Sequence, residues 1–206
     1  MILAVFLSIS FARPIHIESF ITKENLSGMD DSSYLQYDDG SPAWMSGSGL
    51  YRGVWFNTDD FLPGMSGFLV DFSEYWMYHH PAIPWDIGDF YAEVWNGDYM
   101  APLVQLNSTR VTAVHFAPVY VYYNPPLAAE SNFWVFENTE LSSNGSPFMM
   151  GDSTPPAVDH SFYSDDFFVW EPWSDGTNTG DFLVRCGGEF PTRLVNLTWG
   201  AIKAVF

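Results

Sequence analysis

Phe90-Tyr91-Ala92-Glu93-Val94-Trp95-Asn96-Gly97 sets the fold class, because a short run of strand formers ends in a turn-forming Asn-Gly pair. The same grammar repeats in both directions. Strand-like runs cover residues 50–56, 68–72, 111–116, 119–123, 133–136, 167–170, 182–185 and 194–206. Between them stand Pro63-Gly64, Asn124-Pro125-Pro126, Asn144-Gly145, Pro155-Pro156 and Asp175-Gly176. No stretch places apolar residues at helical spacing for three turns. Some ten short strands without helices predict an all-β, two-sheet β-sandwich, jelly-roll-like, with extra N-terminal and C-terminal strands. Phe133-Trp134-Val135-Phe136 is apolar on both faces, so one face enters the core and the other needs loops or a neighbour over it.

Composition agrees. Aromatics make up 18% of 206 residues and hydrophobics 47%, enough for one large core. Against seven basic residues stand 25 acidic ones, a net charge of −18 that repels phosphate backbones and argues against nucleic acid as a partner. Anionic lipid is disfavoured for the same reason. Acidity supplies solubility and oxygen ligands for hard cations.

Three segments divide the chain. Residues 1–12 resemble an export signal: residues 2–7 are apolar, and Ser10-Phe11-Ala12 places small residues where a peptidase would cut. The run is too short to span a bilayer. Residues 13–33 hold a strand and a polar linker, and residues 34–206 the sandwich. In the strand, Ile15, Ile17 and Ile21 alternate with His16 and Glu18, and Phe20 adds a further apolar side chain. Such a strand on an eleven-residue linker (residues 23–33), which reaches about 36–40 Å, is equipped to complete a neighbour's sheet. Glycosylation sequons at Asn25, Asn107 and Asn196 favour a secreted or cell-surface location, and a fourth at Asn144 is followed by Pro147. The lone cysteine, Cys186, excludes an internal disulfide and reads as a small core residue.

Tyr37-Asp38-Asp39-Gly40-Ser41-Pro42, then Gly53-Val54-Trp55-Phe56, and at the far end Gly180-Asp181-Phe182-Leu183-Val184-Arg185, together resemble jelly-roll-like β-sandwich modules of secreted bacterial multidomain proteins. The resemblance covers residues 35–186. It implies a surface module and carries no catalytic residues with it.

Chemistry has three candidate places. Glu93 and Glu171, each among aromatics, are the best pair for a retaining glycosidase, whose carboxylates must stand about 5 Å apart. His79-His80 with Glu74 and Asp86 would suit a transition metal only from a loop, since neighbours on a strand face opposite ways. Calcium, as a structural ion, suits Asp38-Asp39, Asp59-Asp60, Asp86 with Asp89, and Asp165-Asp166, although capping of turns accounts for each pair without an ion. No Gly-x-Ser-x-Gly elbow is present. The sequence therefore reads as a non-catalytic extracellular subunit whose partners are copies of itself, forming a filament through its N-terminal strand. The alternative is a carbohydrate-binding module using exposed rings such as those in Tyr75-Trp76-Met77-Tyr78, and a jelly-roll hydrolase is the lesser one.

Overall fold

The structure, a computed structural model, describes residues 15–16, 33–174 and 180–191. They form two antiparallel sheets packed as a sandwich, with no α-helix among the described residues. The strands are β1 (Ile15–His16), β2 (Ser33–Leu35), β3 (Trp44–Ser46), β4 (Tyr51–Asn57), β5 (Gly67–Tyr78), β6 (Asp89–Asp98), β7 (Ala101–Thr112), β8 (Pro118–Glu130), β9 (Asn132–Asn138), β10 (Phe148–Gly151), β11 (Ser161–Ser164), β12 (Glu171–Pro172) and β13 (Val184–Glu189). The first sheet runs β1-β3-β10-β5-β13-β2, with β8 on the other edge of β5, and the second runs β12-β11-β4-β9-β6-β7. From β3 onward the chain crosses between sheets at nearly every connection, pausing only for the β6–β7 and β11–β12 pairs.

Alternation fills the space between the sheets. Val54 and Phe56 of β4, Phe90, Ala92 and Val94 of β6, and Phe133 and Val135 of β9 meet Phe68, Val70, Tyr75 and Met77 of β5 and Val184 and Cys186 of β13. The opposite side of the second sheet is just as apolar: Tyr51, Trp55, Trp134, Phe136, Phe162 and Trp170 make a second cluster. The chain covers that side itself. Phe167 and Trp170 fold over Tyr51 and Phe136, and Tyr99 packs edge-on against Trp55 and Phe162. Gly53 makes room beneath, because a Cβ there would fall 2.1 Å from the Cβ of Phe136.

Three local expectations are corrected. Asn96-Gly97 lies inside β6 as a register shift, and the hairpin turns at Tyr99-Met100, where the Asp98 carboxylate accepts the Met100 N–H at 2.8 Å. Residues 167–170 are no strand. Asp166 accepts the N–H groups of Phe168 and Val169 at 2.9 and 3.1 Å, and Phe167 takes a positive φ of 71°. Residues 113–116 lie beyond the end of β7, which occupies the polar stretch before them. The expected strands at 17–21 and 194–206 lie outside the described residues.

In the most apolar runs, Trp55, Phe72, Val94, Trp134 and Val184 are buried, whereas Val169 is 60% exposed because it sits on the 166–170 turn. Trp134→Ala should therefore cost about 3–5 kcal/mol in urea unfolding, whereas Val169→Ala should stay within about 0.5 kcal/mol of wild type. Equal losses at the two sites would contradict this packing.

Candidate functional site

Two features of the first sheet lie where a partner would meet them: its outer edge at β3 and its outward face across β2, β13, β5 and β8. At the edge, β1 pairs antiparallel with β3, Ile15 opposite Met45 and His16 opposite Trp44. β3 is three residues long and gives its other side to β10. In the single chain these two residues close onto their own sheet. Ile17, Phe20 and Ile21 lie outside the described residues, as do Asn25 and Asn196.

The outward face is built around one carboxylate. Glu74, fully buried on β5, accepts the hydroxyl of Tyr34 on one oxygen and the indole N–H of Trp76 on the other. Arg185 of β13 lies against it at 3.3 Å and forms a two-pronged pair with Asp38 at 2.6 and 2.9 Å. Asp38 and Arg185 are buried as well. Burial, with the Glu74 carboxylate beside it, holds the Tyr34 phenol far above its usual range. Beside the network, Phe72 lies against Tyr34, Tyr120 and Tyr122. Gly187 is required below it, since a Cβ there would stand 2.2 Å from the Phe72 ring. Of Tyr75-Trp76-Met77-Tyr78, Tyr75 and Met77 point into the core, and Trp76 and Tyr78 are the outward pair.

The structure separates the carboxylates that the sequence paired. Glu93 on β6 and Glu171 on β12 are four strands apart, about 19 Å at the usual inter-strand spacing. A retaining glycosidase needs about 5 Å. Glu93 is buried under four donors, from Trp95 at 2.6 Å, Asn138 at 3.0 Å, Gln105 at 3.2 Å and Ser108 at 3.3 Å. Glu171 takes the Tyr163 hydroxyl at 2.7 Å and lines an open cleft of about 420 Å³ with Asp165, Asp166 and Val169.

His79 stacks on Trp85, and its backbone N–H donates to His115, while His80 accepts the Ala82 N–H. No three His, Cys, Asp or Glu side chains gather as a metal set among the described residues. The aspartate pairs have turn and clamp duties. Asp39 receives Ser41 N–H and the Thr154 hydroxyl, Asp59 caps Gly64, and Asp60 holds Tyr37. Asp86 gathers Ser142, Ser143 and Ser146, and Asp89 pairs with Arg110. Asn107 lies on β7 and accepts the Thr109 hydroxyl. Cys186 is in the core, and burial pushes its thiol well up. No family model, no curated protein and no solved structure matches this chain.

Sequence reasoning missed Arg185, Tyr34, Tyr120 and Tyr122. For the last two a signal was present: Val119-Tyr120-Val121-Tyr122-Tyr123 alternates, which sends Tyr120 and Tyr122 to the side opposite Val119 and Val121. Arg185 had no such signal, since its partners lie 147 and 111 residues away.

Near this network two carboxyls are displaced upward. Burial raises Asp181 to about 7, opposed by the Ser161 hydroxyl and helped by the nearby Asp152 and Asp38 charges. Burial likewise raises Asp152 to about 6 against the N–H groups of Asp181 and Asp39. Both folded values exceed the ordinary carboxylate value, so the folded state holds extra protons between about pH 4 and 7. The associated stability is present below that window and lost as pH rises through it. Burial lowers the His160 value, which acts in the opposite sense around its ordinary value of 6.5. Burial raises Glu137 as well, against the Arg52 charge; with three carboxyls against one imidazole, and self-repulsion growing with pH, the urea midpoint should fall from pH 5 to pH 8. Asp181→Asn should flatten that decline, and an unchanged slope in the variant would refute the assignment.

Proposed function

We propose that the protein is a non-catalytic extracellular structural subunit that assembles with copies of itself by exchanging its N-terminal strand. One observation carries the reading: β1 is the outermost strand of the first sheet, held to β3 by two residue pairs. Backbone hydrogen bonds at an edge do not distinguish one chain from another, so the same segment of a neighbouring copy makes the same ladder. The linker of residues 23–33 is long enough to reach across. Exchange that runs head to tail without closing makes a filament. The export-like start, the sequons and the resemblance to secreted bacterial modules support a place outside the cell. The separation of Glu93 from Glu171 supports a role without hydrolysis.

Deleting residues 1–22 should leave a folded monomer by light scattering that forms no filament in negative-stain images. A synthetic peptide of residues 14–21 should cap growth of the full chain. A deletion variant that assembles as well as the full chain would overturn the proposal. Turnover of a polysaccharide that vanished in Glu93→Gln or Glu171→Gln would overturn the non-catalytic part.

A further inference from the structure

β7 forms one edge of the second sheet, with β6 on its inner side and no strand on its outer side among the described residues. An edge of twelve residues presents a row of backbone donors and acceptors, and proteins blunt such edges with charge, bulges or cover. Charge is scarce on this one. β7 holds no carboxylate, and its Arg110 is engaged with Asp89 at 2.7 Å. Bulges guard only the first half: register shifts between Val94 and Trp95 and between Asn96 and Gly97 leave Leu106 and Leu103 of β7 without an opposite residue. From Asn107 to Thr112 the pairing with β6 is unbroken, so this half is a regular template for another strand.

Asn107-Ser108-Thr109 opens that regular half. Asn107 and Thr109 share one side of the strand, and the Thr109 hydroxyl donates to the Asn107 Oδ1 at 2.7 Å. The carboxamide is thereby oriented through its oxygen. Its Nδ2 donates to nothing among the described residues and is not closed off from solvent. The sequon at Asn144 is built differently. There Nδ2 donates to the Pro84 carbonyl at 3.2 Å, Oδ1 accepts from Ser142 and Ser146, and Pro147 follows. Asn107 is half-buried and stands opposite Val94, whose side chain enters the core, so it leans toward the gap between the sheets where β8 runs. A substituent on Nδ2 therefore emerges at the flank that β7 and β8 share.

We propose that Asn107 carries an N-linked glycan that keeps the β7 edge from pairing with a second copy. The proposal rests on the extracellular part of the reading above and not on strand exchange. In the transfer, Nδ2 bonds to the anomeric carbon of a lipid-pyrophosphate-linked oligosaccharide. The bond from that carbon to the pyrophosphate oxygen breaks, the lipid pyrophosphate leaves with the electron pair, and one amide proton passes to a base of the transferring enzyme. Oδ1 is untouched, so the contact from Thr109 is retained. A bulky, hydrated glycan beside the ladder has to be displaced and stripped of water before a strand can lie there, which supplies the cover that charge and bulges leave out.

The test expresses the full chain through the secretory pathway of a eukaryotic cell. Glycan occupancy is read by mass spectrometry after release with peptide N-glycosidase in heavy-oxygen water. Asn107 should be occupied in most chains and Asn144 in few. Thr109→Ser should keep the glycan, and Thr109→Ala should lose it. The role is read by light scattering, with the peptide of residues 14–21 in excess to hold off strand exchange. The glycosylated chain should be a monomer. Asn107→Gln, with a melting curve like that of wild type, should show about twice that mass, the product of one edge pairing antiparallel with its copy. Adding Ser108→Lys to Asn107→Gln places a charge on the exposed edge and should restore the monomer. An unoccupied Asn107 in cells that glycosylate a control protein would overturn the site. An Asn107→Gln chain that stays monomeric, or that associates only when the peptide is left out, would overturn the role.

Discussion

The central strand of the second sheet has no polar side along Phe133-Trp134-Val135-Phe136, and the architecture follows from that constraint. Phe133 and Val135 enter the sandwich, while Trp134 and Phe136 need a second cover on the opposite side. Two loops provide it. One carries Tyr99; the other is bent over by Asp166 and brings Phe167 and Trp170. The positive φ of Phe167 is uncommon for a bulky side chain and costs of the order of 1–3 kcal/mol, offset by ring contacts with Tyr51, Trp95, Phe136 and Trp170. A loop that would otherwise be free is thereby committed to packing, while Asp165, Asp166, Phe168 and Val169 stay in solvent.

Two buried arginines tie strands to neighbouring strands and loops. Arg52 of β4 pairs with Glu137 of β9 and donates to the carbonyls of Gly145 and Pro147 at 2.6 and 2.8 Å, which pins the loop before β10. Arg185 joins β13 to β5 through Glu74 and to the loop after β2 through Asp38. Replacing such a pair by apolar residues is often neutral, but removing one partner strands a buried charge and costs about 3–5 kcal/mol. Their value here is positional. Arg185 sets where Glu74 points, and Glu74 sets where Tyr34 and Trp76 point.

Fold class was readable from residue types alone, because aromatic and β-branched runs cut by Gly, Pro and Asn leave no helical alternative. Burial of 133–136 followed from its apolar character on both faces. The β7 stretch was missed, since Gln105, Asn107, Ser108 and Thr109 give no apolar alternation on an edge strand that faces water. Residues 167–170 misled for the opposite reason: their apolar character serves burial, but Asp166 turns the backbone. The site was less legible. Sequence spacing drew Glu93 and Glu171 together, and strand order put them at opposite sides of a sheet. What the sequence by itself determined is which segments must be strands and that both sides of the second sheet need cover, since local propensity and apolar pattern act along the chain. Which carboxylate meets which arginine, and which rings share a face, was decided only by the tertiary structure, because strand pairing brings together residues 85 to 147 positions apart, as Arg52 with Glu137 and Arg185 with Asp38.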